Sequence, residues 1–158
     1  MNICSYNGKK PHAFISYWKE DSDRVFPILA QIQKDGYRFW FNHSINEESE
    51  WDEQRASRID DASCLIAFLS ENYLNTVYCK NELLHACRSN KHVYIVCLEP
   101  IKLTGAPALL LSKTSFIHTY MHEDIPSLCQ LLYRCLKISD LQPQLSPFRR
   151  LFSKHTHK

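Results

Sequence analysis

The sequence of 158 residues predicts a doubly wound α/β domain built on a parallel sheet. Two observations carry that expectation. Short apolar and aromatic runs alternate along the chain with longer segments whose apolar residues recur at helical spacing. The strongest run, SCLIAFLS at 63–70, is apolar almost without interruption, as a central strand covered on both faces requires. Size agrees with one domain, since domains commonly hold about 100–200 residues. A chain of this length buries roughly two-thirds of its surface and needs no disulfide or metal to fold.

The elements follow in order. HAFISY at 12–17, opened after Pro11, reads as the first strand. Residues 22–35 read as a helix: Val25, Phe26, Leu29 and Ile32 fall on one face, Ser22 suits the N-cap, and Gly36 ends it. YRFWF at 37–41 is an aromatic second strand. Residues 42–50 are polar and read as a loop, followed by a charged helix over 51–61 with Ile59 and Ala62 inward. After the central strand, residues 75–90 form a helix with Cys79, Leu83, Ala86 and Cys87 on one stripe. Residues 92–98 are a fourth, buried strand stopped by Pro100, and 104–112 a loop with a short helical turn. Residues 115–120 make a short last strand, and 125–138 close as an amphipathic helix.

Composition excludes several classes. Three glycines in the chain leave no glycine-rich phosphate loop. Net charge is +2, but residues 143–158 carry Arg149, Arg150, Lys154 and Lys158 with no acid. The body is therefore slightly acidic and is not a nucleic-acid surface by charge. The seven cysteines are odd in number, lie mostly in apolar runs, and show neither C-x-x-C nor zinc spacing. They read as small buried hydrophobes of a reducing cytosol. His85, Cys87 and His92 lie near one another in sequence, yet Cys87 fits the buried stripe, so no metal site is expected. No apolar run approaches a membrane span, and the first ten residues are too polar for a signal peptide.

In open α/β sheets ligands bind beyond the carboxyl ends of the strands, near the point where strand order reverses. The residues after strands one, two and three therefore matter most. HAFISY at 12–17, GYRFWF at 36–41, Ser49 with Trp51, FLSENY at 68–73 and YCKNEL at 78–83 stand there in order. Together these motifs resemble the TIR (Toll/interleukin-1 receptor) domain family over residues 11–138, closer in style to stand-alone prokaryotic members than to receptor tails. The resemblance implies a flavodoxin-like three-layer fold with a five-stranded parallel sheet in the order 2-1-3-4-5. Residues 1–10 would then be an N-terminal extension and 139–158 a basic C-terminal tail.

Some TIR domains are self-associating adaptors. Others cleave the nicotinamide–ribose bond of NAD, giving ADP-ribose or a cyclic isomer. Enzymatic members carry a glutamate three residues beyond a cysteine on the helix after strand three, which here is Cys79-x-x-Glu82. One carboxylate suits the chemistry. Nicotinamide departs neutral from a cationic state and needs no general acid, whereas the oxocarbenium-like ribose needs a fixed negative charge beside it. Spacing sets Glu82 on the flank of the buried stripe, pointing along the rim of the sheet. The resemblance also implies Phe14 and Ser16 at the border of the nicotinamide site, Tyr78 as a stacking ring, Trp51 as a cover for the nucleotide, and Cys79 as the small residue of the motif. Without the family, Glu82 reads as an ordinary glutamate near a helix start and the aromatics as packing.

The loop after strand two departs from the family pattern. Asn42 replaces the usual acid and Glu48 the usual glycine, which removes easy access to positive φ. A phospho-receiver shares the topology, but Ser70 stands where it needs an aspartate. A nucleoside deoxyribosyltransferase is disfavoured by the TIR motifs, and the remaining rival is an adaptor acting by TIR–TIR association. The sequence reading is a cytosolic, NAD-cleaving TIR enzyme of prokaryotic antiphage defence, with NAD as substrate, no cofactor and no metal. It would self-associate, pass its product to a separate effector, and bind neither nucleic acid nor membrane.

Overall fold

The computed structural model describes residues 2–43, 53–136 and 141. Five strands, β1 (Ala13–Tyr17), β2 (Phe39–Trp40), β3 (Cys64–Leu69), β4 (His92–Cys97) and β5 (Phe116–His118), form one sheet in the order 2-1-3-4-5. Every pairing is parallel. The helices are α1 (Ser22–Lys34), α2 (Glu53–Asp61), α3 (Glu71–Asn75), α4 (Val77–Arg88), α5 (Gly105–Leu110) and α6 (Ile125–Cys135). This is the flavodoxin-like arrangement that the sequence implied, with strand order reversing between β1 and β3.

The period-two geometry of strands explains the two cores. Ile66 and Phe68 of β3 and Ala13 and Ile15 of β1 face one way, into a cluster with Val25, Leu29 and Ile32 of α1 and Leu128 and Leu132 of α6. Leu65, Ala67 and Leu69 of β3 and Phe14 of β1 face the other way, against Ile59 of α2 and Cys79, Leu83 and Ala86 of α4. β3 is buried along its whole length, as its unbroken apolar run predicts. Burying each large side chain contributes roughly 1.5–3 kcal/mol, so this double-sided strand anchors the domain. Leu141, in the segment read from sequence as tail, is buried in the first cluster.

Several elements differ from the sequence reading. α1 begins at Ser22 rather than after it: a 3-10 turn at Lys19–Asp21 precedes it, and Asp21 occupies the cap without capping it. Gly36 ends that helix at φ 89°, as expected of its freedom from a Cβ. β2 keeps only two residues of the predicted five, because Phe41 turns into the core instead of pairing. Ser70 caps α3 by accepting the Tyr73 N–H at 3.0 Å, a five-residue helix too short to leave a periodic signal. The loop over 104–112 holds α5, and the first half of β4 is not buried. Cys87 is only half-buried, and the face given to it belongs to Glu82.

No helix among the described residues is long and apolar enough to cross a membrane.

Candidate active site

Strand β1 sets the site. Its fourth residue, Ser16, follows Phe14 on the face that packs against α2 and α4, so a hydroxyl stands where the alternation would otherwise place an apolar side chain. Ser16 Oγ donates to Glu82 Oε2 at 2.5 Å and shares a second hydrogen bond of 2.7 Å with the Tyr73 hydroxyl. Tyr73 donates in turn to the Cys79 carbonyl at 3.1 Å. A polar chain thus runs from β1 through α3 to the first turn of α4, inside an apolar shell.

Glu82 is enclosed, at 4% exposure. This corrects the expectation that it points along the rim. Its helix carries Cys79, Glu82, Leu83 and Ala86 on one buried face, the i, i+3, i+4, i+7 spacing of a core stripe. A carboxylate is tolerated on that face because Ser16 donates to one oxygen and the Arg55 guanidinium faces the other, Nε to Oε1 at 3.5 Å. Burial pushes Glu82 up from its ordinary 4.5 to about 7, while Ser16 and Arg55 pull it back down.

Arg55 was not singled out by sequence. It is buried at 6% exposure, on the inner face of α2 one turn before Ile59. Its guanidinium carbon sits 5.2 Å from the centre of the Tyr78 ring, within cation–π range. Four-residue spacing from the buried Ile59 was the available signal, but an arginine in a charged helix reads as solvated. At the far end of α2, Asp60 pairs with His85 of α4 at 2.8 Å.

The other expected residues fall as follows. Tyr78 lies half-buried at the edge of the site, its hydroxyl accepting the Lys19 N–H at 3.2 Å. Cys79 is fully buried and its thiol is pushed up by burial and by Glu82, so it is a neutral packing residue and not a nucleophile. Phe14 is 1% exposed, its ring 5.1 Å from that of Trp40; it lies below Ser16 as a floor, closed to solvent. Trp51 lies outside the described residues, as do Ser49 and Glu48 of the departing loop. The structure therefore brings together Ser16, Tyr78, Cys79 and Glu82, adds Arg55 and Tyr73, and buries Phe14 beneath them.

Beside this cluster, Asp21 accepts from Ser70 Oγ at 2.5 Å and pairs with Arg24. Arg24 also reaches Glu99 at 2.7 Å, which ties the carboxyl ends of β1, β3 and β4 together. No group of three or more histidine, cysteine or acidic side chains among the described residues is arranged to hold a metal ion.

The parallel sheet in the order 2-1-3-4-5 thus carries a buried carboxylate at its switch point. The model of the TIR domain family matches residues 13–132, and the chain belongs to that family. No curated protein matches it. Solved structures of the same fold include the TIR domain of the Toll-related receptor TRR-2 from Hydra magnipapillata (15% identity, 77% of this chain and 94% of that one, TM-score 0.62). They also include the TIR domains of the activated Roq1 resistosome, which recognises the pathogen effector XopQ (14% identity, 80% and 100%, TM-score 0.63). A third is the CMP N-glycosidase BcmB of Clostridium botulinum (14% identity, 79% and 99%, TM-score 0.54).

Proposed function

We propose that this TIR domain cleaves the N-glycosidic bond between nicotinamide and ribose in NAD, releasing nicotinamide and either ADP-ribose or a cyclic isomer. The observation that carries the reading is Glu82: a buried carboxylate, oriented by Ser16, at the switch point of the sheet. Ser16 donates to Oε2 and Arg55 Nε faces Oε1 at 3.5 Å, so the ribose would meet Oε1 through a lone pair beside the guanidinium. There it stabilises the positive charge that develops at the anomeric carbon and accepts from a ribose hydroxyl. Nicotinamide leaves with the electron pair of the broken bond and becomes neutral, so no proton donor is required. Tyr78 offers a ring at the edge for the nicotinamide. Water attacking the ribose carbon gives ADP-ribose, and a nitrogen of the substrate's own adenine gives a cyclic isomer.

A CMP N-glycosidase on the same fold supports this class of chemistry, since it too is named for cutting a base from a ribose. The family resemblance supplies the rest of the reading: NAD as substrate with no resident cofactor, self-association of TIR domains, a separate effector for the product, and antiphage defence in the cytoplasm. Exposed Val77, Leu109 and Met121 offer apolar surface for contact with a second copy.

The rival reading, an adaptor without catalysis, draws on one observation. Glu82 is closed off by Arg55 in this arrangement. Incubating concentrated protein, wild type and Glu82→Ala, with NAD and resolving the products by mass spectrometry separates the two. Nicotinamide release by wild type alone is the expected result. No release by either, with crowding agents present to promote assembly, favours the adaptor.

A further inference from the structure

Arg55 is the one charged group among the described residues that meets the carboxylate of Glu82, and both side chains are buried. Its neighbours fix it. The Tyr78 ring lies under the guanidinium at 5.2 Å, and Ile59 on the same face of α2 is wholly enclosed. We propose that Arg55 is a positioning residue of this site: its guanidinium, held between the Tyr78 ring and Glu82, draws that carboxylate toward its ionised form and so biases the site toward N-glycosidic bonds whose leaving group is already cationic. The inference rests on the reading of Glu82 as the group beside the ribose.

A carboxylate removed from water takes up a proton unless hydrogen bonds and a countercharge hold it ionised. The groups facing Glu82 are Ser16 on β1, Arg55 on α2, Tyr73 on α3, and Tyr78 and Cys79 on its own helix, while Tyr17 of β1 lies across the sheet among Phe26 and Phe41. Burial pushes Tyr17 up to about 12 and pushes Tyr73, Tyr78 and Cys79 up as well, so all four are neutral near pH 7. Among the described residues Arg55 supplies the countercharge and Ser16 the hydrogen bond.

The two protonation states of Glu82 serve different bonds. Ionised, it stabilises an oxocarbenium but gives no proton, which suits a pyridinium leaving group that departs neutral. Protonated, it becomes a general acid, which an uncharged base such as cytosine needs in order to leave.

The test uses Arg55→Met and Arg55→Lys. The Glu82 carboxyl is titrated by carbon-13 NMR, assigned by its loss in Glu82→Gln, and kcat/KM is followed against pH with NAD and with CMP. In Arg55→Met the midpoint of the carboxyl and the acid limb of the NAD profile are expected to move up together by about one pH unit or more. The preference for NAD over CMP is expected to fall about tenfold. Arg55→Lys keeps the charge and is expected to stay near wild type. If Arg55→Met does not fold, Arg55→Gln carries the same expectation. A carboxyl midpoint unchanged by neutralising Arg55, or an unchanged NAD-to-CMP ratio, overturns the proposal. Wild type inert on NAD at every pH overturns the functional reading and the specificity drawn from it, while the titration still decides whether Arg55 draws the carboxylate toward its ionised form.

Discussion

Ser16 and Glu82 stand 66 residues apart in the chain and 2.5 Å apart in the fold, the serine hydroxyl donating to the carboxylate. One contributes from the first strand of the sheet and the other from the helix after the third. Strand order 2-1-3-4-5 makes β1 and β3 neighbours, so the helix leaving β3 packs across the end of β1. The site is a product of that crossover.

Replacing Ser16 by Ala removes the donor from a buried carboxylate and leaves the Tyr73 hydroxyl without that partner. A loss of roughly 1–3 kcal/mol in unfolding free energy is expected. Turnover of NAD is expected to fall by about tenfold or more, since the carboxylate is no longer held in one orientation. Urea unfolding and initial rates of nicotinamide release check both, and an active, fully stable Ser16→Ala variant contradicts the role given to Ser16.

Stability should carry the signature of Glu82. Its value is about 7 in the folded chain against an ordinary 4.5, so between those limits the folded state binds more protons than the unfolded state. The sign follows from linkage: the stability Glu82 confers is present below pH 4.5 and lost as pH rises toward 7, by roughly 3 kcal/mol. Glu82→Gln abolishes that fall, whatever its effect on absolute stability through loss of the ion pair with Arg55. Unfolding curves at several pH values should show the wild type losing stability across the window relative to Glu82→Gln; parallel profiles contradict the raised value.

Tyr78 separates into ring and hydroxyl. The hydroxyl accepts one backbone hydrogen bond from Lys19, so Tyr78→Phe is expected to cost about 1 kcal/mol or less and to keep activity. The ring lies against Arg55 and faces the site, so Tyr78→Ala is expected to raise KM for NAD severalfold. Steady-state kinetics on the pair distinguish the two contributions.

Tyr133 of α6 donates to Asp35 at 2.6 Å, and its ring stacks on Tyr37 at 4.3 Å, on the face of the sheet opposite Glu82. Tyr133→Phe is expected to lose about 1 kcal/mol with NAD turnover unchanged. A calorimetric scan beside the activity assay checks it, and a matching fall in turnover would show that the two faces of the sheet are coupled.

Much of the fold was legible because strands and helices write different periods into a sequence. The apolar run at 63–70 marked a central strand, and the spacing of Val25, Leu29 and Ile32 marked α1. Short elements left a weaker mark: β2 was legible as a longer aromatic strand and α5 as a turn within a loop, while α3 was not legible at all. A two-residue β2, a five-residue α3 and a six-residue α5 are set by what they pack against, and a period needs more residues than that to declare itself.

Within the site, the residue types could be read from the chain alone: Ser16 in the first strand, and Tyr78, Cys79 and Glu82 in one stretch of helix. Burial and partners could not. Glu82 read as a rim residue and Arg55 as a solvated one, because a charged side chain in a polar context is usually exposed. Their meeting in the interior comes from the packing of α2 against α4. Each is tolerated there because the other, with Ser16, offsets the cost of leaving water. That compensation depends on distances between β1, α2 and α4, which no local pattern encodes.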